Sequence, residues 1–270
     1  MNQPLEVAIA AAREAGALLR QHFGVTPDVK EMHAHDIKID LDTETQELIT
    51  GRLLGAFPDH ALYGEEGIAG NQASEWQWIV DPIDGTVNYF YGMPHAAVSI
   101  ALQAQGPGSK VQSQKLKTQN SKFKTILGVI YDPFTDELWT ATRGGKTKLN
   151  GRVVNCSNRS RVNDSLVAIG FSKSAENLRK SLPHVCRLAR RAKKLRIMGS
   201  AALELAYVAS GRLDVYIERT INLWDIAAGG LMVECSGGEM HLIPLRDGRL
   251  RMVADNGRLR RKLGLNSLLR

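Results

Sequence analysis

The chain is predicted to be an α/β protein, an α+β N-terminal half followed by an α/β C-terminal half, and three observations carry that reading. Apolar residues recur at three- and four-residue steps over residues 5–23. Short aromatic and β-branched runs then fill residues 76–142. Beyond residue 165, strand-like and helix-like segments alternate.

The first helix is marked by the stripe Leu5, Ala8, Ile9, Ala12, Gly16, Leu19 and Phe23. A second fits residues 42–57, with Asp42 or Thr43 near its start and Leu48, Ile49, Leu53 and Phe57 as its apolar positions. Trp76 to Val80 reads as a strand that runs straight into Asp81-Pro82 and so delivers Asp81 at its carboxyl end. His95 to Gln103, Thr125 to Tyr131 and Glu137 to Thr142 are further strands, and Asn150-Gly151 is the turn of a short hairpin. The order then runs strand 165–170, helices 174–192 and 200–210, strand 213–217, helix 225–236, strand 238–243 and a basic final helix from about 256. Residues 105–122 carry Gly-Pro-Gly-Ser and then Lys, Gln, Ser, Thr and Asn, with Val111 and Leu116 as the apolar exceptions. They read as a flexible loop insertion. No internal repeat is visible.

Composition narrows the function classes. Hydrophobic residues make up 43% and charged residues 23% of 270 positions, which argues against collagen, a mostly disordered chain or a membrane protein. The first apolar stretch is broken by Arg13 and Glu14, well short of the roughly 18 residues a membrane span needs, so neither an export signal nor membrane association is expected. Cys156, Cys186 and Cys235 are odd in number and lack zinc or redox spacing; they are expected to be buried thiols in a reducing cytoplasm. The net charge of +7 is clustered at Lys110 to Lys122, Arg187 to Arg196 and Arg258 to Lys262. These clusters read as solvated faces ahead of nucleic-acid contacts.

Acidic residues beside Gly, Pro and Thr recur in Gly64-Glu65-Glu66, Asp81-Pro82-Ile83-Asp84-Gly85-Thr86 and Trp224-Asp225-Ile226-Ala227-Ala228-Gly229. A single carboxylate at such a junction is most often a helix cap. Three such segments together argue for more. Asp81 and Asp84 on a stiffened turn can face the same space, where like charges raise each other's pKa unless a cation joins them. The donors are all oxygens, with no histidine or cysteine in these segments, so a hard ion such as Mg²⁺ suits them better than zinc or copper. Mg²⁺ sites of that kind are completed by substrate phosphate, which points to phosphate-ester chemistry. Gly85 and Thr86 open the following segment, where backbone N–H groups suit a phosphate.

With these segments in view, the sequence resembles the inositol monophosphatase family of the lithium-sensitive, magnesium-dependent phosphatase superfamily. Residues Trp78 to Tyr89 are similar to that family's first signature and Trp224 to Gly229 to its second, with Gly64-Glu65-Glu66 at the expected distance before the first. The likeness covers nearly the whole chain outside the 105–122 loop. It implies a layered αβαβα sandwich of the sugar-phosphatase type and one domain over 1–270, with an N-terminal half 1–145 and a C-terminal half 146–270. It also implies a cytoplasmic homodimer binding two to three Mg²⁺ ions.

The resemblance further implies site roles. Glu65, Asp81 and the Ile83 carbonyl would hold a first ion, Asp81, Asp84 and Asp225 a second, and Glu65 with waters a third. Thr86, paired with Asp42, would orient the water that attacks phosphorus. Substrate would be bound by Asp84, Gly85, Thr86 and Asp225, with Gly199, Ser200 and Ala201 lining the sugar pocket. Glu218, seven residues before Asp225, would accept hydrogen bonds from substrate hydroxyls. Read on composition alone, Glu218 is an exposed charge at a strand end. The implied activity is hydrolysis of myo-inositol 1-phosphate or a similar small polyol phosphate by direct attack of a metal-activated water. The alternatives are histidinol phosphate, fructose 1,6-bisphosphate or 3′-phosphoadenosine 5′-phosphate as substrate, or a binding protein that contacts RNA or the transcription machinery. The basic runs 187–196 and 256–270 lack interleaved aromatic residues, which disfavours the last of these.

Nine further residues are read as structural or as departures. Lys38 and Ile39 stand where many relatives carry Val-Thr. Asp40 is read as a helix-start charge, Glu66 as a helix cap or a support behind the metals. His33, His35 and His95 lack ligand spacing and are read as packed or solvent-facing, and Trp78 and Trp224 as core.

Overall fold

The computed structural model describes residues 2–25, 29–33, 36–105, 123–171 and 175–265. Its frame is an eight-stranded sheet and a five-stranded sheet with helices outside and between them. Helices α1 (Asn2–His22) and α2 (Asp40–Ala56) are followed by β3 (Ala61–Gly64), β4 (Gly67–Gly70) and β5 (Trp76–Asp84). A hairpin of β1 (Val29–His33) and β2 (Asp36–Ile39) lies between the two helices in sequence. Then come the short helix α3 (Thr86–Phe90), β6 (Ala97–Gln105), β7 (Phe123–Asp132), β8 (Glu137–Thr142), β9 (Lys148–Leu149) and β10 (Arg152–Val153). The eight-stranded sheet has the order β10-β9-β8-β7-β6-β5-β3-β4 and therefore extends to Val153. Asn150 and Gly151 both have positive φ, 46° and 78°, as the tight turn between β9 and β10 requires.

The second part comprises β11 (Leu166–Ile169), α4 (Ala175–Ala189), β12 (Lys194–Arg196), α5 (Ala201–Ala209), β13 (Val215–Ile221), α6 (Leu223–Cys235), β14 (Glu239–Pro244), β15 (Leu250–Asp255) and α7 (Arg260–Leu263). Its strands order as β12-β11-β13-β15-β14.

Strand periodicity distributes the core. In β5, Trp78 and Val80 face α1 and α2, packing with Ala8, Ala12, Leu19 and Leu53, while Ile79 faces the other way. That other side meets α5 and α6, whose far side packs on Tyr216, Met252 and Ala254 of the second sheet. The outer face of the second sheet, with Val167, Ile169, Val215 and Val253, is covered by Leu188 of α4 and by Leu259 and Leu263 around α7. The layers are therefore helix, sheet, helix, sheet, helix, as the αβαβα expectation requires. Helices α5 and α6 lie between two sheets, which is why they are apolar nearly all round.

The structure corrects several element readings. Strand β5 continues four residues past Val80 and carries Asp81 and Asp84 within it. The basic helix from 256 is reduced to the four residues of α7, and the preceding Leu250–Asp255 is a strand paired on both sides. Gly257, at φ 74°, interrupts any helix that would begin earlier. The hairpins β1–β2 and β3–β4 and strand β12 are short pieces without sustained alternation. Contrary to the expectation that all three thiols are buried, Cys156 and Cys235 are half-buried and Cys186 is exposed on the outer side of α4, where Ser181 and Leu188 take the inward positions. Loop residues 106–122 and the side chains of His33, His35 and Lys38 lie outside the described residues.

Candidate active site

The site forms where the carboxyl ends of strands from both sheets meet the first turns of helices between them. Along β5 the residues pair regularly with β6 up to Asp81 opposite Ser99, yet Asp84 lies opposite Ala97. Three steps on one strand match two on the other, a β-bulge. Without the extra residue, Asp81 and Asp84 would point to opposite faces of the sheet. The bulge turns both into one cleft.

Each neighbouring carboxylate is brought in by a separate device. Glu65 and Glu66 are the turn between Gly64 and Gly67 of the β3–β4 hairpin, and because β3 runs parallel to β5 the Glu65 N–H bonds Val80 O at 3.1 Å. Asp225, in the first turn of α6, accepts the Asn222 N–H at 2.8 Å. Asp42 does the same at the start of α2, accepting the Ile39 N–H at 3.0 Å. Its other oxygen lies 3.4 Å from Thr86 Oγ1, which also donates to Ile83 O at 2.9 Å. Gly85 makes the turn at φ 97°; a Cβ there would meet His95 O at 2.9 Å. Asn88 locks the turn to the loop before α5, donating to His95 O and Met198 O at 2.9 and 2.8 Å.

Asp84 is held most tightly. It accepts the Ser200 hydroxyl and the backbone N–H groups of Ala201 and Ala202, at 3.1 and 2.8 Å, all at the amino end of α5. Burial raises its pKa to about 6, against the lowering effect of these donors. Asp81 is raised well above the ordinary carboxylate range, by burial and then by the charges of Glu65, Asp84, Asp225 and Asp42. Asp225 is likewise raised, by burial and by Glu65 and Asp84.

One carboxylate oxygen each from Asp81, Asp84 and Asp225 lies within 4.8 Å of the others. Glu65, Ile83, Gly85, Thr86, Gly199, Ser200, Ala201 and Glu218 line the same cavity, of about 480 Å³, as these three aspartates. Asp42 joins it through Thr86. Glu65 stands outside the 4.8 Å group and acts on Asp81 and Asp225 through its charge. Among the described residues that line the cavity the one cation is Arg249, whose guanidinium is paired with Asp247 at 2.6 and 2.9 Å. A second cluster, Glu239, His241 and Asp255, differs on this point, because Arg260 sits 3.4 Å from Glu239 and 3.7 Å from Asp255. The aspartate cluster could thus hold a metal ion, and its all-oxygen donors suit a hard one.

The sequence profile of the Inositol monophosphatase family matches residues 1–108 and 120–257. The chain belongs to the inositol monophosphatase family. The gap in the match falls inside the 105–122 insertion. Nus factor SuhB of Xylella fastidiosa is 37% identical over 243 residues, covering 88% of this chain and 82% of the relative. Among solved structures, the extragenic suppressor protein suhB of Bartonella henselae aligns with TM-score 0.85 at 33% identity, covering 98% of this chain and 97% of that one. The inositol monophosphatase of Anabaena (Nostoc) sp. aligns with TM-score 0.79 at 31% identity, covering 98% and 94%.

Within this inositol monophosphatase family member, two cleft residues were not anticipated from sequence. Glu204, 1% exposed, and the buried Tyr216 line the cavity beside Glu218. The signal for Glu204 was present. It is the one charged residue in Ala201–Ala209, a helix otherwise apolar on every side, and a carboxyl there must face a partner. Glu218 is half-buried within β13 and accepts the Tyr216 hydroxyl, so it is no free strand-end charge. It rests on Gly170, where a Cβ would come 2.0 Å from Glu218 Oε2. Among the residues read as structural, Asp40 is exposed in the first turn of α2 and Glu66 accepts from Thr43 at 3.4 Å. Trp78 is fully buried, and Trp224 packs on Tyr63 with ring centroids 5.3 Å apart.

Proposed function

We propose that this chain is a Mg²⁺-dependent phosphomonoesterase acting on myo-inositol 1-phosphate or a similar small polyol phosphate. The observation that carries the reading is the convergence of Asp81, Asp84 and Asp225 within 4.8 Å, with Arg249 of the cleft engaged elsewhere. Three like charges at that spacing, two of them buried and the third half-buried, are costly unless a cation joins them. Glu65, Asp81, Asp84, Asp225 and the Ile83 carbonyl would hold two to three ions. Bound Mg²⁺ supplies Lewis acidity toward the phosphoryl oxygens and eases deprotonation of the attacking water.

The chain's own groups do the positioning. Thr86 shares its single hydroxyl proton between Ile83 O and Asp42, which leaves its lone pair to accept from a water beside the scissile phosphorus. Asp42 then takes up the proton that Thr86 passes on. Glu65 supports the same water from the β3–β4 turn. Gly199, Ser200 and Ala201 shape the wall of the cleft, and Glu218 accepts hydrogen bonds from polyol hydroxyls. The reading is tested with a panel of phosphate esters, including histidinol phosphate, fructose 1,6-bisphosphate and 3′-phosphoadenosine 5′-phosphate, assayed with and without Mg²⁺ and Li⁺. Preferred release from polyol monophosphates, dependent on Mg²⁺ and inhibited by Li⁺, is expected; Mg²⁺-independent release would overturn it.

A second reading has its own observation. Relatives bearing the name Nus factor SuhB share 33–37% identity with the chain, and two basic clusters far apart in sequence meet on one face. Arg187, Arg190, Arg191 and Lys193 are exposed at the end of α4, where Arg191 donates to Lys262 O at 2.8 Å beside exposed Arg258 and Arg261. Such a face suits a polyanion. A salt-dependent RNA mobility shift, abolished by reversing the charges at Arg187, Arg190 and Arg191, would establish this binding; no shift at low salt would end it.

A further inference from the structure

This inference rests on the phosphatase reading and concerns the turn that leads into α5. Glu204 is buried and is the one charged residue of that helix, a place where a carboxyl is costly unless it is hydrogen-bonded. Its Oε1 reaches back six residues, outside the helix, and accepts the Met198 N–H at 3.2 Å. The carbonyl of the same Met198 accepts from Asn88 Nδ2 at 2.8 Å, and Asn88 also donates to His95 O at 2.9 Å. Met198 is therefore pinned on both sides, its amide by α5 and its carbonyl by α3. Directly after it, Gly199 turns the chain at φ 80°, where a Cβ would come 3.2 Å from Asn88 Nδ2. Ser200, Ala201 and Ala202 follow and supply three donors to Asp84.

We propose that Glu204 is a positioning residue for the aspartate cluster: by holding the Met198 amide it fixes the turn through Gly199 and so sets how Ser200, Ala201 and Ala202 hold Asp84. The link from Met198 to Ala202 is continuous backbone, with no flexible side chain to absorb a shift. Both Asp84 oxygens are engaged by this turn, Oδ1 by Ala201 and Oδ2 by Ser200 and Ala202. A displaced turn therefore rotates a carboxylate that must keep an oxygen within 4.8 Å of Asp81 and Asp225. Groups that orient a metal ligand without touching the metal are worth about 10–100-fold in affinity. Burial, then the charge of Glu218, raises Glu204 to about 8, so at neutral pH its carboxyl is largely protonated. It anchors the turn without adding a further negative charge to the cleft. Glutamine has the same neutral shape and keeps the acceptor for Met198.

The test measures two quantities in wild type, Glu204→Leu and Glu204→Gln: the calorimetric dissociation constant for Mg²⁺, and the Mg²⁺ concentration giving half-maximal phosphate release from myo-inositol 1-phosphate. Leucine removes the acceptor for Met198, and both quantities are expected to rise about tenfold. Glutamine retains it and is expected to stay within about twofold of wild type. A residue that only fills space beside the helix would change the melting temperature without separating the two variants in Mg²⁺ affinity. Melting curves identify a variant that fails to fold. Glu204→Met, unbranched and at most a weak acceptor, then takes the place of leucine. A folded Glu204→Leu or Glu204→Met protein with the wild-type dissociation constant for Mg²⁺ overturns the proposal, as does an equal rise in Glu204→Gln. If wild-type protein binds Mg²⁺ but releases phosphate from no ester, the phosphatase reading fails while the calorimetric comparison still decides this one. Wild-type protein that binds no Mg²⁺ sinks both.

Discussion

Asp84 is hydrogen-bonded to Ser200, 116 residues further along the chain, and to the two amides that follow it. The carboxylate thus caps α5 while contributing to the acidic cluster, so the first sheet and the helix layer share one side chain. Helix-end amides with an N-terminal dipole are a natural partner for a carboxylate, and they fix its orientation without using every lone pair.

Replacing Asp84 by asparagine separates these two tasks. The amide oxygen can still accept from α5, so the fold should persist with only a modest loss in melting temperature. The missing charge should reduce Mg²⁺-dependent phosphate release at least a hundredfold, since removal even of groups that only orient metal ligands costs 10–100-fold. Phosphate release and thermal melting on the same preparation check both halves. Activity near the wild-type level in Asp84→Asn would remove Asp84 from the site.

Divalent cation should stabilise the protein by mass action. At a hundredfold excess over its dissociation constant Mg²⁺ adds about 2.7 kcal/mol, a rise of roughly 5–10 °C in melting temperature for a chain of this size. Chelation with EDTA reverses the rise, and Asp81→Asn should lack it. Melting curves that do not respond to Mg²⁺ would contradict a cation at Asp81, Asp84 and Asp225.

Glu204 makes a pH-dependent contribution with a definite sign. Its folded-state pKa is raised from 4.5 to about 8, so between these values the folded chain keeps a proton that the unfolded chain has lost. Stability from this group is therefore full below about pH 4.5 and falls as pH rises toward 8, by up to about 1.4 kcal/mol per pH unit. Urea unfolding of wild-type and Glu204→Gln protein at pH 5.5 and 7.5, both with saturating Mg²⁺, isolates the effect. The wild type should lose more stability than the variant over that interval; parallel curves would show that Glu204 holds no proton.

The 105–122 insertion is expected to be dispensable for catalysis. Gln105 of β6 pairs directly with Phe123 of β7, so the strand ends are already side by side and a two-residue turn can join them. The family match also skips residues 109–119. Replacing 107–121 with Asn-Gly should leave kcat and KM within about twofold. A folded but inactive product would assign the segment a role in the reaction.

The segments that carry chemistry were legible in the chain itself. Asp81 to Thr86, Glu65 and Trp224 to Gly229 combine carboxylates with the residues that turn a backbone, and local chain chemistry alone limits what such runs can do. The family, the layered fold and the all-oxygen donor set follow from them. Tertiary structure decided the rest, because it depends on which strand lies beside which. The β5 bulge that swings Asp81 and Asp84 to one side exists only in register with β6. Glu204 is one acidic letter in an apolar helix until β13 places Tyr216 and Glu218 opposite it. Two basic runs become one face because α7 docks against the end of α4. A charge's partner across the fold is set by packing between elements, and no periodicity along the chain encodes that distance.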